Sequence, residues 1–131
     1  MGFLVIGTLM LTPAAAAREV LSVPAAGYGF TEGASMQFLA IKDVDRELDA
    51  VAKTGASWLR LLIDWSRIEP VKGQYDWRYV DEQVNAARAH NLNVLGVIAY
   101  TPEWARPVDT DFKHPPVNAA DYGQFALAAT Y

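Results

Sequence analysis

GASWLRLLIDWSRIEPVKGQYDW, residues 55–77, is the stretch from which the fold follows. Gly55 reads as a helix stop, because glycine enters the left-handed region after a last helical turn without a Cβ clash. Residues 57–63, Ser-Trp-Leu-Arg-Leu-Leu-Ile, then run almost continuously apolar. Such a run suits a strand of a parallel sheet, which is covered on both faces. Arg60 interrupts it. Its fixed charge and five donors are buried only where an anion or strong acceptors meet them. On the two-residue period of a strand, Arg60, Leu62 and Asp64 share one face, and Leu59, Leu61 and Ile63 the other. Asp64, Trp65, Arg67 and Glu69 crowd the strand's carboxyl end before Pro70 stops any continuation. Gly73 and Asp76 turn the chain toward the next helix. Polar and aromatic chemistry gathered at that end of a parallel strand is the pattern of an α/β active-site rim.

The flanking sequence repeats the unit. A short first strand is expected around residues 28–30, followed by a loop of about ten residues, longer than most strand-to-helix connections. Residues 43–54 form a helix with Val44, Leu48, Val51 and Ala52 on one stripe, the spacing of a core-facing side. Asp76 is placed to cap a second helix reaching about His90, with Val80, Val84 and Ala87 inward and Asn91 as its stop. A third strand spans residues 93–99, with Tyr100-Thr101-Pro102-Glu103-Trp104 at its carboxyl end. By parity Val94, Gly96 and Ile98 are assigned to the face of Arg60. A proline-broken loop over residues 106–117 leads to a third helix from about Asn118, which runs to the end of the sequence. Strand–helix alternation at roughly 30-residue intervals argues for a parallel α/β sheet.

Composition narrows the function classes. The chain has 131 residues, 52% of them hydrophobic, and a formal net charge of −4. One domain of ordinary size is expected, with no electrostatic reason for a nucleic-acid partner. The absence of cysteine excludes disulfides and thiolate metal sites. Residues 3–11 form an apolar run, and Pro13 followed by four alanines offers a cleavage site before Arg18. Residues 1–17 are therefore read as a signal peptide and residues 18–131 as the mature domain, secreted or in the cell envelope. The run is short for a membrane span, although no Lys or Arg precedes Arg18, and an uncleaved anchor is the rival reading.

Several motifs lose their chemistry on geometry. Gly27-x-Gly29-x-x-x-Gly33 is similar to a dinucleotide fingerprint, but its glycines must lie in a turn that opens directly into a helix. Here the helix begins well downstream, so no nucleotide cofactor is expected. His90 and His114 lack ligand spacing, so no metal is expected. Glu69 and Glu103 are the evident carboxylate pair. Glu69, several residues past its strand and wedged before Pro70, reads better as an organiser of the loop. Glu103 is open between substrate contact and loop structure.

Arg60 within a Leu-rich strand, then Asp-Trp-Ser-Arg-Ile-Glu-Pro and Gly73-Gln74-Tyr75-Asp76-Trp77, resembles the second strand and loop of clan A glycoside hydrolases, nearest to families 5 and 39. The resemblance extends over residues 26–131. It implies a (β/α)8 barrel, of which this chain holds about three units where a complete barrel needs ~250 residues. It also implies retaining hydrolysis of O-glycosidic bonds in a β-linked glycan, by two glutamates that end the fourth and seventh strands and so lie beyond Tyr131. By this resemblance the chain alone is inactive and contains no catalytic carboxylate. Arg60 is expected beneath the active site, buried and supporting the nucleophile, or else in a structural ion pair. Trp65, Tyr100 and Trp104 follow strand ends, where aromatic faces stack on the C–H patches of sugars; packing is the other reading for both tryptophans. Asp64, Tyr100 and Glu103 complete the expected substrate-side set. The partner is a carbohydrate substrate, without cofactor. A non-catalytic carbohydrate-binding envelope protein on the same scaffold is the alternative.

Overall fold

The structure, a computed structural model, describes residues 27–32 and 35–130. The expected signal segment, residues 1–17, lies outside them. Three parallel strands, β1 (Gly29–Thr31), β2 (Trp58–Asp64) and β3 (Asn93–Ala99), form one sheet in the order β1-β2-β3. Helix α1 (Ile41–Lys53) joins β1 to β2, and α3 (Arg78–Ala89) joins β2 to β3. A single turn, α2 (Trp65–Ile68), sits directly on the end of β2, and α4 (Ala119–Ala128) follows β3. This is the α/β architecture of a partial (β/α)8 barrel, about three βα units.

Local chemistry explains the boundaries. Gly55 follows α1 at φ +86° and donates its N–H to Ala52 O, closing the helix in the left-handed conformation. Asn91 takes φ +58° after α3 in the same role. Asp76 accepts the backbone N–H of Arg78 at 3.2 Å and pairs with its guanidinium, so α3 starts one residue beyond the expected cap. Asn118 caps α4 through the N–H of Ala120 at 3.0 Å. That helix ends at Ala128 rather than running to the end of the sequence. Gly29 lies inside β1, and a Cβ there would come within 2.6 Å of the Trp58 Cβ. Its place in the chain serves close strand approach and not a phosphate turn.

The core occupies the helix side of the sheet. Leu59, Leu61 and Ile63 point there and meet Val44 and Leu48 of α1 and Val80 and Ala87 of α3. Burying each large aliphatic side chain contributes roughly 1.5–3 kcal/mol. The opposite face has no helix over it among the described residues. Two expectations change here. In the β2–β3 register Arg60 lies beside Leu95, and Leu62 beside Val97, so Leu95, Val97 and Ala99 share the face of Arg60. Val94 and Ile98 instead pack against the helix-side core. A strand that is apolar at both parities carries no signal for its phase, and the register alone sets it. Arg60 itself is exposed and not buried. Among the described residues its side chain has no ion pair, because that face of the sheet meets only solvent there.

Candidate active-site rim

The carboxyl ends of the strands and the connections after them frame a cleft of about 550 Å³, within the ~300–1,000 Å³ typical of small-molecule sites. Asp64, Tyr100 and Glu103 of the sequence-predicted set line it together. Arg60, Trp65 and Trp104 do not.

Asp64 ends β2 and is 8% exposed. Its Oδ1 accepts the Ser66 hydroxyl at 2.6 Å and the Arg67 N–H at 3.2 Å. The second of these satisfies an orphan backbone donor of the helical turn, with Asp64 as its N-cap, and α2 forms where the sequence suggested only loop. Pro70 then stops it.

Trp65 is 1% exposed and cannot stack on a sugar in this arrangement, which corrects the expectation for it. Its ring stacks on Phe125 of α4 at 5.4 Å and meets Trp104 edge-on at 5.8 Å. Its Nε1–H donates to Glu69 Oε2 at 2.7 Å. The other carboxylate oxygen of Glu69 accepts the Gly73 N–H at 2.7 Å, and its backbone carbonyl accepts Trp104 Nε1–H at 2.8 Å. Glu69 is 3% exposed and organises the loop, as the sequence suggested. Its neighbouring charge, after burial, also pushes the Tyr75 hydroxyl up from its ordinary value. Trp104 is half-buried, with the Lys72 ammonium 5.1 Å from its ring centroid and that lysine paired to Asp121 at 2.7 Å. The two tryptophans thus knit the β2 and β3 connections to α4, with Trp77 also stacked on Phe125 at 5.5 Å.

The β3 connection is built differently. Tyr100 has φ +67°, a conformation uncommon for a residue with a side chain and one that clusters at functional sites. Its ring meets Phe112 edge-on at 4.7 Å. The Thr101 N–H donates to Phe112 O at 2.7 Å, while Arg106 donates to Thr101 O at 2.8 Å and Thr110 O at 2.9 Å. Arg106 therefore closes the loop that holds Glu103, which is exposed toward the cleft.

Three residues at the rim were not singled out in the sequence. Glu32, just past β1, accepts the Met36 N–H at 2.6 Å, and burial pushes its carboxyl above the ordinary 4.5 against the opposing pull of backbone N–H groups. Phe38 and Phe112 line the cleft with much of each ring exposed. A carboxylate directly after a strand was a readable signal for Glu32. Nothing in the local pattern distinguished the two phenylalanines. Among the described residues no group of three or more His, Asp or Glu side chains converges in a metal-binding arrangement.

Strand–helix alternation with polar and aromatic residues collected at the carboxyl ends of the strands defines the parallel (β/α) barrel class. Residues 39–126 match the family model of glycoside hydrolase family 42, described as beta-galactosidase. The chain belongs to that family, in keeping with the clan A resemblance. The structure is similar to an exo-β-1,4-mannosidase from an Opitutaceae bacterium, at TM-score 0.60 and 19% identity over 79% of this chain and 20% of that one. It is similar to a β-galactosidase from Halorubrum lacusprofundi at TM-score 0.56 and 17% identity, covering 78% of this chain and 18% of that one. A family 39 glycoside hydrolase from Bacteroides cellulosilyticus gives TM-score 0.55 and 20% identity, over 67% of this chain and 19% of that one. At these identities the likeness is one of fold. The chain spans about a fifth of the length of these structures. No curated protein matches it.

Proposed function

We propose that this chain is the amino-terminal part of an exported glycosidase barrel that hydrolyses O-glycosidic bonds in a β-linked glycan with retention. The family match carries the reading, and the meeting of Asp64, Tyr100 and Glu103 in one cleft at the strand ends supports it. Retaining hydrolysis requires two carboxyl groups ~5–5.5 Å apart, one as acid/base and one as nucleophile. Glu69 is unsuited to either role, since both of its oxygens hold the loop. The acid/base and the nucleophile are assigned to strands outside this chain. Within it, Asp64, Tyr100 and Glu103 contact the carbohydrate, Arg60 faces the barrel lumen, and Trp65 and Trp104 fix the two connections that carry the cleft.

The test is hydrolysis of 4-nitrophenyl β-galactoside by the complete barrel protein, with the anomeric configuration of released sugar followed by proton NMR. β-Galactose appearing first supports retention, whereas α-galactose appearing first overturns it. Sugar binding without turnover would leave a binding protein on the same scaffold. Export removes residues 1–17 on this reading, and N-terminal sequencing of secreted protein should begin at Arg18. A retained Met1 on a membrane-bound product would sink that part.

A further inference from the structure

Phe38 and Phe112 are 75% and 44% exposed, yet both line the rim cleft. They come from different connections, Phe38 from the turn Met36–Phe38 after β1 and Phe112 from the loop after β3. The end of β2, with Asp64 and Ser66, also lines the cleft. Neither ring hangs free. The Arg67 guanidinium lies 5.3 Å from the Phe38 centroid and 4.1 Å from that of Tyr79, and its Nη1–H donates to the Gln37 carbonyl. Phe112 is held by the edge of Tyr100, by the Lys113 ammonium 5.8 Å from its centroid, and by the Thr101 N–H on its carbonyl. Each ring is therefore braced by its own surroundings and keeps a large share of its surface open.

We propose that Phe38 and Phe112 are specificity-determining walls of the cleft, which hold the sugar unit adjoining the one that is cleaved. This rests on the glycosidase reading of the same cleft. A phenyl ring offers no hydrogen bond, so its occupant must present an apolar face. Beside the rings, the exposed Glu103 carboxylate and the Asp64 oxygen that is not bonded to Ser66 and Arg67 favour an occupant that also brings hydrogen-bond donors. A purely apolar ligand would desolvate the exposed Glu103 carboxylate without pairing it. A pyranose satisfies both requirements, with C–H groups on its ring face and hydroxyls around its edge. Preorganised rings lose little conformational freedom when it binds.

The test compares KM for β-1,4-galactotriose with KM for methyl β-galactoside, whose methyl group is too small to reach the rings, in the complete barrel protein, for Phe38→Ala, Phe112→Ala and Phe38→Trp. The ratio of the two KM values should rise about tenfold in each alanine variant, the change expected when on the order of 50 Å² of apolar ring face loses its cover. Phe38→Trp should restore the ratio. Phe38 is braced through Arg67 and is otherwise largely exposed, so its alanine variant stays interpretable if Phe112→Ala disturbs the loop through Tyr100. An unchanged ratio in Phe38→Ala would overturn the proposal, as would an effect confined to kcat. If the protein hydrolyses neither probe, the glycosidase reading fails by itself, and calorimetric titration with galactotriose decides the walls. Binding weakened by Phe38→Ala keeps them. Equal binding, or none by the unsubstituted protein, removes them.

Discussion

The two faces of the sheet are made from alternate residues of the same strands, yet they have opposite fates. On the helix side Leu59 and Leu61 are 1% and 0% exposed, whereas on the other side Leu95 is 54% exposed and Arg60 stands open. In β3 hydrophobicity does not distinguish them, since Val94 and Ile98 lie on one parity and Leu95 and Val97 on the other, whereas in β2 the charges of Arg60 and Asp64 mark the open parity. What differs is whether another element packs on top. Helices α1 and α3 arrive within the described residues and seal one side. The lumen side of a barrel is sealed by strands far along the chain.

The largest expected effect tests that contrast directly. Leu61→Ala should cost about 2–5 kcal/mol by urea unfolding, the range for removing a buried leucine. Leu95→Ala in the 131-residue chain should stay within ~0.5 kcal/mol, as for an exposed site. In the complete barrel Leu95→Ala should move into the larger range. If the two substitutions cost the same in the short chain, its open face is covered in solution and the contrast fails.

Next in size is Glu69→Ala, which leaves the buried Trp65 Nε1–H and the part-buried Gly73 N–H without their acceptor. A loss of ~1–3 kcal/mol is expected, accompanied by a changed near-UV circular dichroism signal from the tryptophan cluster. An unaltered spectrum and melt would show that water or another acceptor replaces the carboxylate.

Arg60→Met sharpens the open side. Since Arg60 is exposed and not buried, its removal should alter the stability of the short chain by no more than ~0.5 kcal/mol. In the complete barrel protein, on the glycosidase reading proposed above, it should lower turnover more than stability. If Arg60 supports the nucleophile there, the acidic limb of the pH–rate profile moves upward on substitution. A well-folded variant with an unmoved profile would reduce Arg60 to packing.

The smallest effects are pH-linked, and they have opposite signs. Burial raises the folded Glu32 carboxyl above 4.5, so the folded state holds its proton more tightly than the unfolded one. The stability it contributes is fully present below 4.5 and is lost as pH rises through the folded value. Asp76 is lowered from 3.8 to about 2, first by its hydrogen bond from the Arg78 side chain. Its contribution is present above 3.8 and is lost as pH falls through about 2. Being exposed, that pair should weaken with added salt. Melting temperatures of Glu32→Gln and Asp76→Asn across this range would separate the two. A Glu32→Gln profile parallel to the unsubstituted one above pH 4.5 would remove the first.

Most of the fold was legible because local signals agree with it. Apolar runs, the amphipathic stripe of α1, and stops at Gly55 and Asn91 fix where strands and helices lie, and β3 runs over residues 93–99 as read. The rim was legible in position too, since the sequence itself places Asp64, Tyr100 and Glu103 just past strand ends. What each side chain does there was not. Trp65 and Trp104 have the same placement signal, and only the arrival of Phe125 and Tyr122 on α4 turns Trp65 into a core residue. The register of β3, the openness around Arg60, and the presence of Phe38 and Phe112 in one cleft, from connections more than 70 positions apart in sequence, likewise belong to the tertiary structure. Periodicity and capping act within a few residues and are written in the chain. Burial and convergence depend on which distant segment lands on a side chain, and no local pattern contains that.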